Sequence, residues 1–427
     1  MLQEYRHLLV AHVLCLRIQL PILATHELAS SEVYLRRAHH VLTYIMHFYI
    51  HTLPLTERVL IPSPISIPLL RVSRHLQLPP IATYSDTVLY NWDLRVPQQH
   101  TDIDEDSDVS STCAPALDNL RSQDLFTGTP DEESFYLASA RIELRGVEAL
   151  DLMRDTMDEM FVGDDIALHR ITQYLTRLGE VVHELAQILM DIRKGCDPDV
   201  FYQSVRPWFC GQDNDPGRRK WEFEGVGLGV VEENGGGSTN EVLEKPEDLS
   251  GPSAGQSALI HALDIFLGLD DNRVHTPTST PTPLQSANRD ARTLLRRMQI
   301  YMPRHHRAFL RHLTANPRPV RQLVEGRDHP ELVNAYNSAV DAVKAFRDAH
   351  IRIVAIYIIG PASRERADEA REDSAGDSAS HDARRVSANM REGIREAALR
   401  GTGGTQLVQF LKGVRDQTAG ALVPTDP

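Results

Sequence analysis

A histidine on an otherwise apolar helical face is the side chain of this sequence with the clearest capacity for chemistry. His350 stands where apolar residues recur every three or four positions, which predicts a helix with one apolar face. Arg347 precedes it by three residues and lies on the same side, about 5 Å along the axis. A neutral imidazole can ligate a metal and a guanidinium pairs with an anion, a combination that suits haem. A satisfied core histidine is the alternative interpretation.

Two other stretches combine aromatic and polar side chains at helical spacing. Phe135 and Ser139 are four residues apart and therefore share one helical face. Phe201 and Tyr202 precede the cation Arg206 by about a turn and a half. Each stretch has a structural alternative, because small polar residues are tolerated in core helices and arginines commonly lie along the surface. Residue types alone leave both interpretations open.

An isolated carboxylate and a glycine-rich run also stand out. Asp264 interrupts an apolar helical segment, and such a group needs a partner if it is buried, although most aspartates stay exposed. The run Gly401–Thr405 is most simply a hinge. Its functional interpretation is a pliable loop that closes over a substrate, with Thr402 offering a hydroxyl and an amide to that substrate.

Two of these segments resemble the indoleamine 2,3-dioxygenase family. The run Phe346–Val354 is similar to the family's proximal-haem helix, and Gly401–Arg415 is similar to its glycine-rich C-terminal signature. The resemblance extends from about Leu78 to the C-terminus, apart from insertions at 212–250 and 364–400. The residues before Leu78 match the family poorly and look short for its small domain.

The resemblance implies roles for individual residues. His350 becomes the axial ligand of the haem iron, and Ser139 on the distal side faces the iron-bound oxygen. Phe135 and Phe201 become the wall that holds the indole ring, and Arg206 binds the carboxylate of the amino-acid substrate. Further implied positions are the pocket-lining residues Tyr84, Thr87, Val88, Tyr202 and Thr402, the haem-side residues Ser253, Ala254 and Arg347, and Asp264 as a link to His350.

The implied function is haem-dependent oxidation of L-tryptophan or a related indoleamine. Both atoms of O2 enter the C2–C3 bond of the indole to give N-formylkynurenine, the first step of the kynurenine pathway toward NAD. The implied cofactor is haem b, and an unidentified reductant is required. Two alternatives remain at this point, namely a non-catalytic O2-binding haem protein of the same fold and a helical interaction protein without haem.

The helices that must position these residues are predicted from their start signals. Thr129-Pro-Asp-Glu132 is a capping-box sequence and predicts a helix running to about Phe161. Further helices are expected from Asp165 to Ile192 and from Pro330 to Ile359. Consecutive long helices predict an all-α fold. The resemblance implies two domains, a small one over residues 1–123 and a large haem-binding one over 124–427.

Other segments are predicted to be irregular or exposed. Repeated prolines between residues 61 and 80 predict a connector with short helical pieces. The segments 212–250 and 364–400 are rich in small and charged residues and are expected to be flexible insertions. His39 and His40 are adjacent, so they point to different sides of a helix, and we expect both at the surface.

Composition restricts the kind of partner. With 45 Lys and Arg against 59 Asp and Glu, the net charge of −14 disfavours nucleic acid and anionic membranes. No apolar run is long enough to span a bilayer. The four cysteines are scattered, which disfavours a zinc site or a disulfide framework and predicts a cytoplasmic protein. We expect a monomer that binds a small molecule.

Overall fold

Helices make up nearly all of the regular structure. The computed structural model describes residues 20–97, 115–227, 229–234, 237–269, 295–315, 320–375 and 407–424. Its helical content confirms the all-α fold class, and no helix in these ranges is both long and apolar enough to cross a bilayer. The main helices are α1 (Glu32–Thr52), α2 (Ser63–Leu76), α3 (Pro130–Arg145), α4 (Val147–Val162), α5 (Asp165–Asp191), α6 (Ala258–Phe266), α7 (Arg304–Ala315), α8 (Val320–Glu325), α9 (Pro330–Val354), α10 (Gly360–Ala375) and α11 (Leu407–Ala419).

Three two-stranded pairings accompany the helices. They are the parallel pair β1 (Val59–Ile61) with β4 (Trp221–Phe223), and the antiparallel pairs β2 (Trp92–Leu94) with β3 (Leu120–Ser122) and β5 (Gly229–Asn234) with β6 (Gly237–Val242). Trp221 and Phe223 are buried, so the expectation of a flexible insertion is wrong for this part of 212–250. Alternation places both rings on the buried face of a strand.

The long helices α5 and α9 pack against each other along their length and form the centre of the main core. The helices come close at Gly179 on α5, where a Cβ would lie 3.4 Å from the Cα of Ala339 on α9, an ordinary van der Waals contact. Tyr336 and Val340 of α9 are almost fully buried in the same core. The C-terminal part of α9, which carries His350, therefore extends from a closely packed helix pair.

The predicted capping box forms in part. The Thr129 side chain accepts a hydrogen bond from the backbone N–H of Glu132, as expected for an N-cap. The Glu132 carboxylate reaches further back and accepts from the N–H groups of Phe126 (2.7 Å) and Thr127 (2.6 Å). The prediction of one helix to Phe161 is wrong, because α3 and α4 divide at Gly146, where a Cβ would collide with Leu259 of α6.

Helix α2 replaces the expected proline-rich connector. Pro64 lies in the first turn of α2, where a backbone N–H would have no hydrogen-bond acceptor within the helix. Pro68 is accommodated inside the helix. Burial of apolar side chains such as Leu69 and Val72 offsets the lost hydrogen bond. Helix α10 likewise extends to Ala375, so the expectation of a flexible segment is wrong for 364–375, and 376–400 lies outside the described residues.

The adjacent pair His39 and His40 is buried, with 1% and 2% of each residue exposed, so the surface prediction is wrong. His39 Nδ1 lies 2.8 Å from Asp86 Oδ1, and His40 Nε2 lies 3.0 Å from Asp124 Oδ2. Carboxylate partners from other parts of the chain make burial of two neighbouring imidazoles possible.

One core cluster spans the two predicted domains. Apolar side chains of α1, β1 and α2 pack with Trp221, Leu249 and Tyr301 from later in the chain. The division into 1–123 and 124–427 stays a prediction.

Candidate functional site

A cavity lies among α3, α9, α11 and the loop at residues 252–255. The cavity has a volume of about 190 Å³. This is roughly ten times or more the cavity volume that one buried water molecule needs. Aromatic and aliphatic side chains dominate its wall, with His350, Arg206 and Ser139 among the few polar groups. An apolar cavity with a few convergent polar groups is typical of a ligand site.

His350 lines this cavity from α9. Burial lowers the pKa of its imidazole to about 4, because enclosure by protein disfavours the charged form. No hydrogen bond from another described residue reaches the ring. At neutral pH the imidazole is therefore uncharged, and the lone pair of one nitrogen is available to a ligand in the cavity.

Arg347 and Asp264 pair with each other. Arg347 Nη2 donates to both carboxylate oxygens of Asp264, at 2.5 and 2.7 Å, and Nη1 donates to the hydroxyl of Thr418. Both charged side chains are buried, and neither belongs to the cavity lining. The structure thus brings two sequence-predicted residues together in a pair that ties α6, α9 and α11 to one another beside the helix that carries His350.

Ser139 lines the cavity from α3, and Tyr84, another lining residue, belongs to a group of hydrogen-bonded side chains. The Tyr84 hydroxyl donates to Glu143 Oε1 at 3.0 Å, and the Ser257 hydroxyl donates to the same oxygen at 2.6 Å. Burial raises the pKa of Glu143, and the two hydrogen bonds partly offset that rise. The sequence analysis did not identify Glu143, although it lies one helical turn after Ser139.

Aromatic rings form a wall of the cavity. The ring centroids of Phe135 and Phe201 are 4.5 Å apart, and those of Phe135 and Phe209 are 5.6 Å apart. Arg206 lines the cavity, and burial lowers its pKa, an effect that the nearby Cys210 and Tyr202 partly offset. A half-buried guanidinium next to aromatic rings suits a ligand with an apolar ring and a carboxylate.

Tyr202 does not belong to the cavity lining. Its ring packs against Ala362 and Ile358, and its hydroxyl donates to Glu365 at 3.3 Å. The Cζ atom of Arg206 lies 5.9 Å from the centre of the Tyr202 ring. Tyr202 therefore contacts a side chain of the cavity without lining it.

Three π-helical turns contribute to the cavity wall, namely π1 (Ser85–Leu89), π2 (Phe201–Val205) and π3 (Ala355–Ile359). They supply Thr87 and Val88, Phe201, and Ile358 respectively. Inserted turns of this kind occur frequently at functional sites.

Buried polar contacts fix π1. Asp86 accepts hydrogen bonds from the backbone N–H and the hydroxyl of Thr83, each at 2.8 Å, and pairs with His39. His39 Nε2 lies 3.1 Å from the carbonyl oxygen of Pro79, so both ring nitrogens face acceptors. Burial alone would lower the pKa of His39, but Asp86 and the hydrogen bonds outweigh burial and raise it.

A loop of small residues lines another side of the cavity, where Ser253, Ala254 and Gly255 are found. Gln256 secures this loop: its side-chain oxygen accepts from the N–H of Tyr84 at 2.8 Å, and its amide group donates to the carbonyl of Gly251 at 2.9 Å. The loop and π1 are therefore held in a fixed relation.

Most sequence-predicted residues lie together at the cavity, and several others were missed. Tyr84, Thr87, Val88, Phe135, Ser139, Phe201, Arg206, Ser253, Ala254 and His350 all line it, whereas Thr402 lies outside the described residues. Val354 lies one turn after His350, so the helical spacing could have identified it. The other lining residues that were missed are Tyr136, Phe209, Pro252, Gly255, Leu295, Met298, Ile358, Phe410 and Leu411.

The residues present fit a haem group. His350 offers an uncharged nitrogen donor without a competing hydrogen bond among the described residues. Small side chains at 253–255 let the backbone come close to a flat ring, and a Cβ at Gly255 would lie 3.3 Å from Met298 Cγ, another lining residue.

Comparisons with known proteins give a consistent result. A family model described as indoleamine 2,3-dioxygenase matches residues 1–421, so the expectation of a poor match before Leu78 is wrong. Indoleamine 2,3-dioxygenase of Saccharomyces cerevisiae is 31% identical over 385 residues, covering 90% of this chain and 77% of the relative. Indoleamine 2,3-dioxygenase 2 of Mus musculus is 30% identical, covering 85% and 73%. The 6-hydroxytryptophan 2,3-dioxygenase of Fusarium equiseti is 27% identical, covering 94% and 85%.

Proposed function

Because the chain belongs to the indoleamine 2,3-dioxygenase family, it is a haem-dependent dioxygenase, and we propose that it opens the indole ring of L-tryptophan. Both atoms of O2 enter the C2–C3 bond and N-formylkynurenine is formed. The observation that carries this proposal is the uncharged imidazole of His350 facing a cavity that also contains Arg206 and the ring of Phe135.

His350 would hold the haem iron through an uncharged imidazole nitrogen. The iron, when bound, supplies the binding and activation of O2, which amino-acid side chains do not provide. The low pKa of His350 keeps its lone pair free at neutral pH. The ion pair between Arg347 and Asp264 would support this role by holding α9 in place.

Arg206 would bind the substrate carboxylate through two parallel N–H donors. Its partial burial supports this role, because a partly desolvated guanidinium gains more from an anionic ligand than an exposed one does. Phe135 and Phe201 would hold the indole ring by stacking and edge contacts. Together these contacts would fix the position of the indole C2–C3 bond and keep water away from it.

The wider setting follows from the same proposal. The reaction is the first step of the kynurenine pathway toward NAD, and it requires a reductant that keeps the iron ferrous. We place the protein in the cytoplasm as a monomer, with support from its scattered cysteines and its net charge of −14.

The test is the absorption spectrum and the turnover of the purified protein. We expect a haem Soret band that shifts with carbon monoxide, and formation of N-formylkynurenine under air with L-tryptophan and a reductant. A protein that binds O2 without forming product would be a non-catalytic haem protein, and a colourless protein would contradict the cofactor. Assays with 6-hydroxytryptophan, the substrate named for one relative, measure the substrate range.

Substitution of Arg206 tests how the substrate is bound. We expect Arg206→Ala to raise KM for L-tryptophan by about 10- to 100-fold, the value of a lost charged hydrogen bond of about 1.5–3 kcal/mol. Arg206→Lys is the matched control, since it keeps the charge without the paired N–H donors. Its KM should lie between that of the unaltered protein and that of Arg206→Ala. An unchanged KM in Arg206→Ala would contradict the proposal that Arg206 binds the substrate carboxylate.

A further inference from the structure

The guanidinium of Arg206 lies over an aromatic ring that is not part of the cavity lining. Arg206 Cζ is 5.9 Å from the centre of the Tyr202 ring, which is within the range of about 6 Å for cation–π contacts. Tyr202 is 9% exposed, and its ring packs against Ala362 and Ile358. The ring is therefore held by protein and supports the cavity guanidinium from outside the lining.

A carboxylate on α10 fixes the Tyr202 ring through its hydroxyl. The Tyr202 hydroxyl donates to Glu365 Oε2 at 3.3 Å, and Glu365 belongs to the second turn of α10. The preceding residue, Arg364, forms an ion pair with Asp199 at 2.6 Å. Helix α10 thus contacts the chain on both sides of Phe201, which lines the cavity.

The Tyr202 ring is acted on by two opposite charges. Burial raises the pKa of its phenol, the charge of Glu365 adds to this rise, and the charge of Arg206 opposes it. A phenol that donates to a carboxylate gains electron density in its ring, and a cation is attracted to the ring face by that density. Glu365 therefore both fixes the ring and strengthens its attraction for Arg206.

We propose that Tyr202 and Glu365 are positioning residues for Arg206, so that α10 sets the affinity of the cavity for a carboxylate. Tyr202 orients the guanidinium, and Glu365 fixes Tyr202. This inference rests on the proposed function, in which Arg206 binds the carboxylate of L-tryptophan. Its consequence is selective, because binding of tryptamine, which lacks the carboxylate, does not depend on either residue.

The KM values for L-tryptophan and tryptamine in the haem-loaded protein test the proposal. Tyr202→Leu removes the ring and should raise KM for L-tryptophan by about 2- to 30-fold, as expected for loss of a cation–π contact. Tyr202→Phe removes only the hydroxyl and should raise it by about 2- to 5-fold. KM for tryptamine should not change in either variant. Equal rises for both substrates, or an unchanged KM for L-tryptophan in Tyr202→Leu, would overturn the proposal.

A double-mutant cycle tests the part played by Glu365. Glu365→Leu should reproduce the effect of Tyr202→Phe, and the double variant should show no more than either change alone, because both remove the same contact. Glu365→Gln keeps an acceptor and should lie closer to the unaltered protein. Arg364→Leu is the matched control, since it removes the neighbouring contact of α10 and should leave the ratio of the two KM values unchanged. Additive effects, or the same change of the ratio in Arg364→Leu, would overturn the role of Glu365.

A measurement without haem or substrate separates this inference from the proposed function. The Nε–H signal of Arg206 in an NMR spectrum is identified as the one that Arg206→Lys removes. It should move downfield in Tyr202→Leu, because the ring current of the tyrosine is lost, and by less in Glu365→Leu. An unmoved signal in Tyr202→Leu would overturn the inference whatever the turnover of the protein. Absence of turnover in the unaltered protein would contradict only the proposed function.

Discussion

Two histidines of this protein, the buried His39 and the half-buried His350, have opposite surroundings. His39 lies between a carboxylate and a backbone carbonyl, and these partners raise its pKa despite burial. His350 faces the cavity without a hydrogen bond from any described residue, and burial lowers its pKa to about 4. The first ring is a hydrogen-bonded connector within the fold whose raised pKa favours its charged form, and the second is an uncharged donor for a ligand. Burial of an imidazole therefore does not indicate its role; its partners do.

The largest effect should come from His350→Ala. We expect loss of the haem Soret band and of turnover, because the only proposed axial donor is removed. In haem-free protein the free energy of unfolding should change by less than about 1 kcal/mol, since no protein hydrogen bond is lost. Added imidazole should restore part of the Soret band. A normal spectrum in the variant would end the assignment of His350 as ligand.

The opposite pattern is expected at His39. Removal of one partner of a buried, hydrogen-bonded ion pair costs about 3–5 kcal/mol, so His39→Ala should lower the free energy of unfolding strongly. Urea denaturation of haem-free protein measures this loss. Asp86→Asn, which keeps the shape of the side chain, is the matched control and should also be destabilising. If His39→Ala were as mild as His350→Ala, the contrast between the two rings would fail.

The dependence of stability on pH should have opposite signs for the two rings. The pKa of His350 falls from 6.5 to about 4 on folding, so its contribution is complete above pH 6.5 and is lost as the pH falls toward 4. The loss is about 1.4 kcal/mol per pH unit for one proton. His39 has a raised pKa, so its contribution is complete below pH 6.5 and is lost as the pH rises through the folded value.

Paired variants isolate these slopes in haem-free protein. His350→Leu should reduce the slope of the free energy of unfolding against pH on the acid side by the contribution of about one proton. The acid dependence that remains includes His47, because burial lowers its pKa to about 3. His39→Gln should remove the loss of stability on the alkaline side. Denaturation curves at several pH values measure both, and an unchanged acid slope in His350→Leu would contradict the low pKa of that ring.

Local spacing explains what the sequence could predict. The helix around His350, the N-cap at Thr129 and the shared face of Phe135 and Ser139 all depend on residues within a few positions of one another. The resemblance to a family then assigned their roles. Most residues identified in this way do line one cavity.

Contacts between distant parts of the chain could not be read in the same way. The partner of His39 is 47 residues away, and Tyr84 and Glu143 are 59 residues apart. The partner of Arg347 is Asp264, 83 residues away. Local helical spacing indicated only that Arg347 lies near His350. Adjacent histidines look like surface residues until the fold supplies their carboxylates, so burial of polar groups is decided by tertiary structure.

The three π-helical turns at the cavity have a consequence for how such a pocket can change over generations. A turn of this kind holds one residue more than the α-helical path, so deleting a single residue there would restore an ordinary helical turn and change which side chains the turn presents to the cavity. Thr87, Phe201 and Ile358 all lie in such turns. The shape of the cavity can thus change through insertion or deletion of a single residue, while the helices on either side of the turn keep their structure.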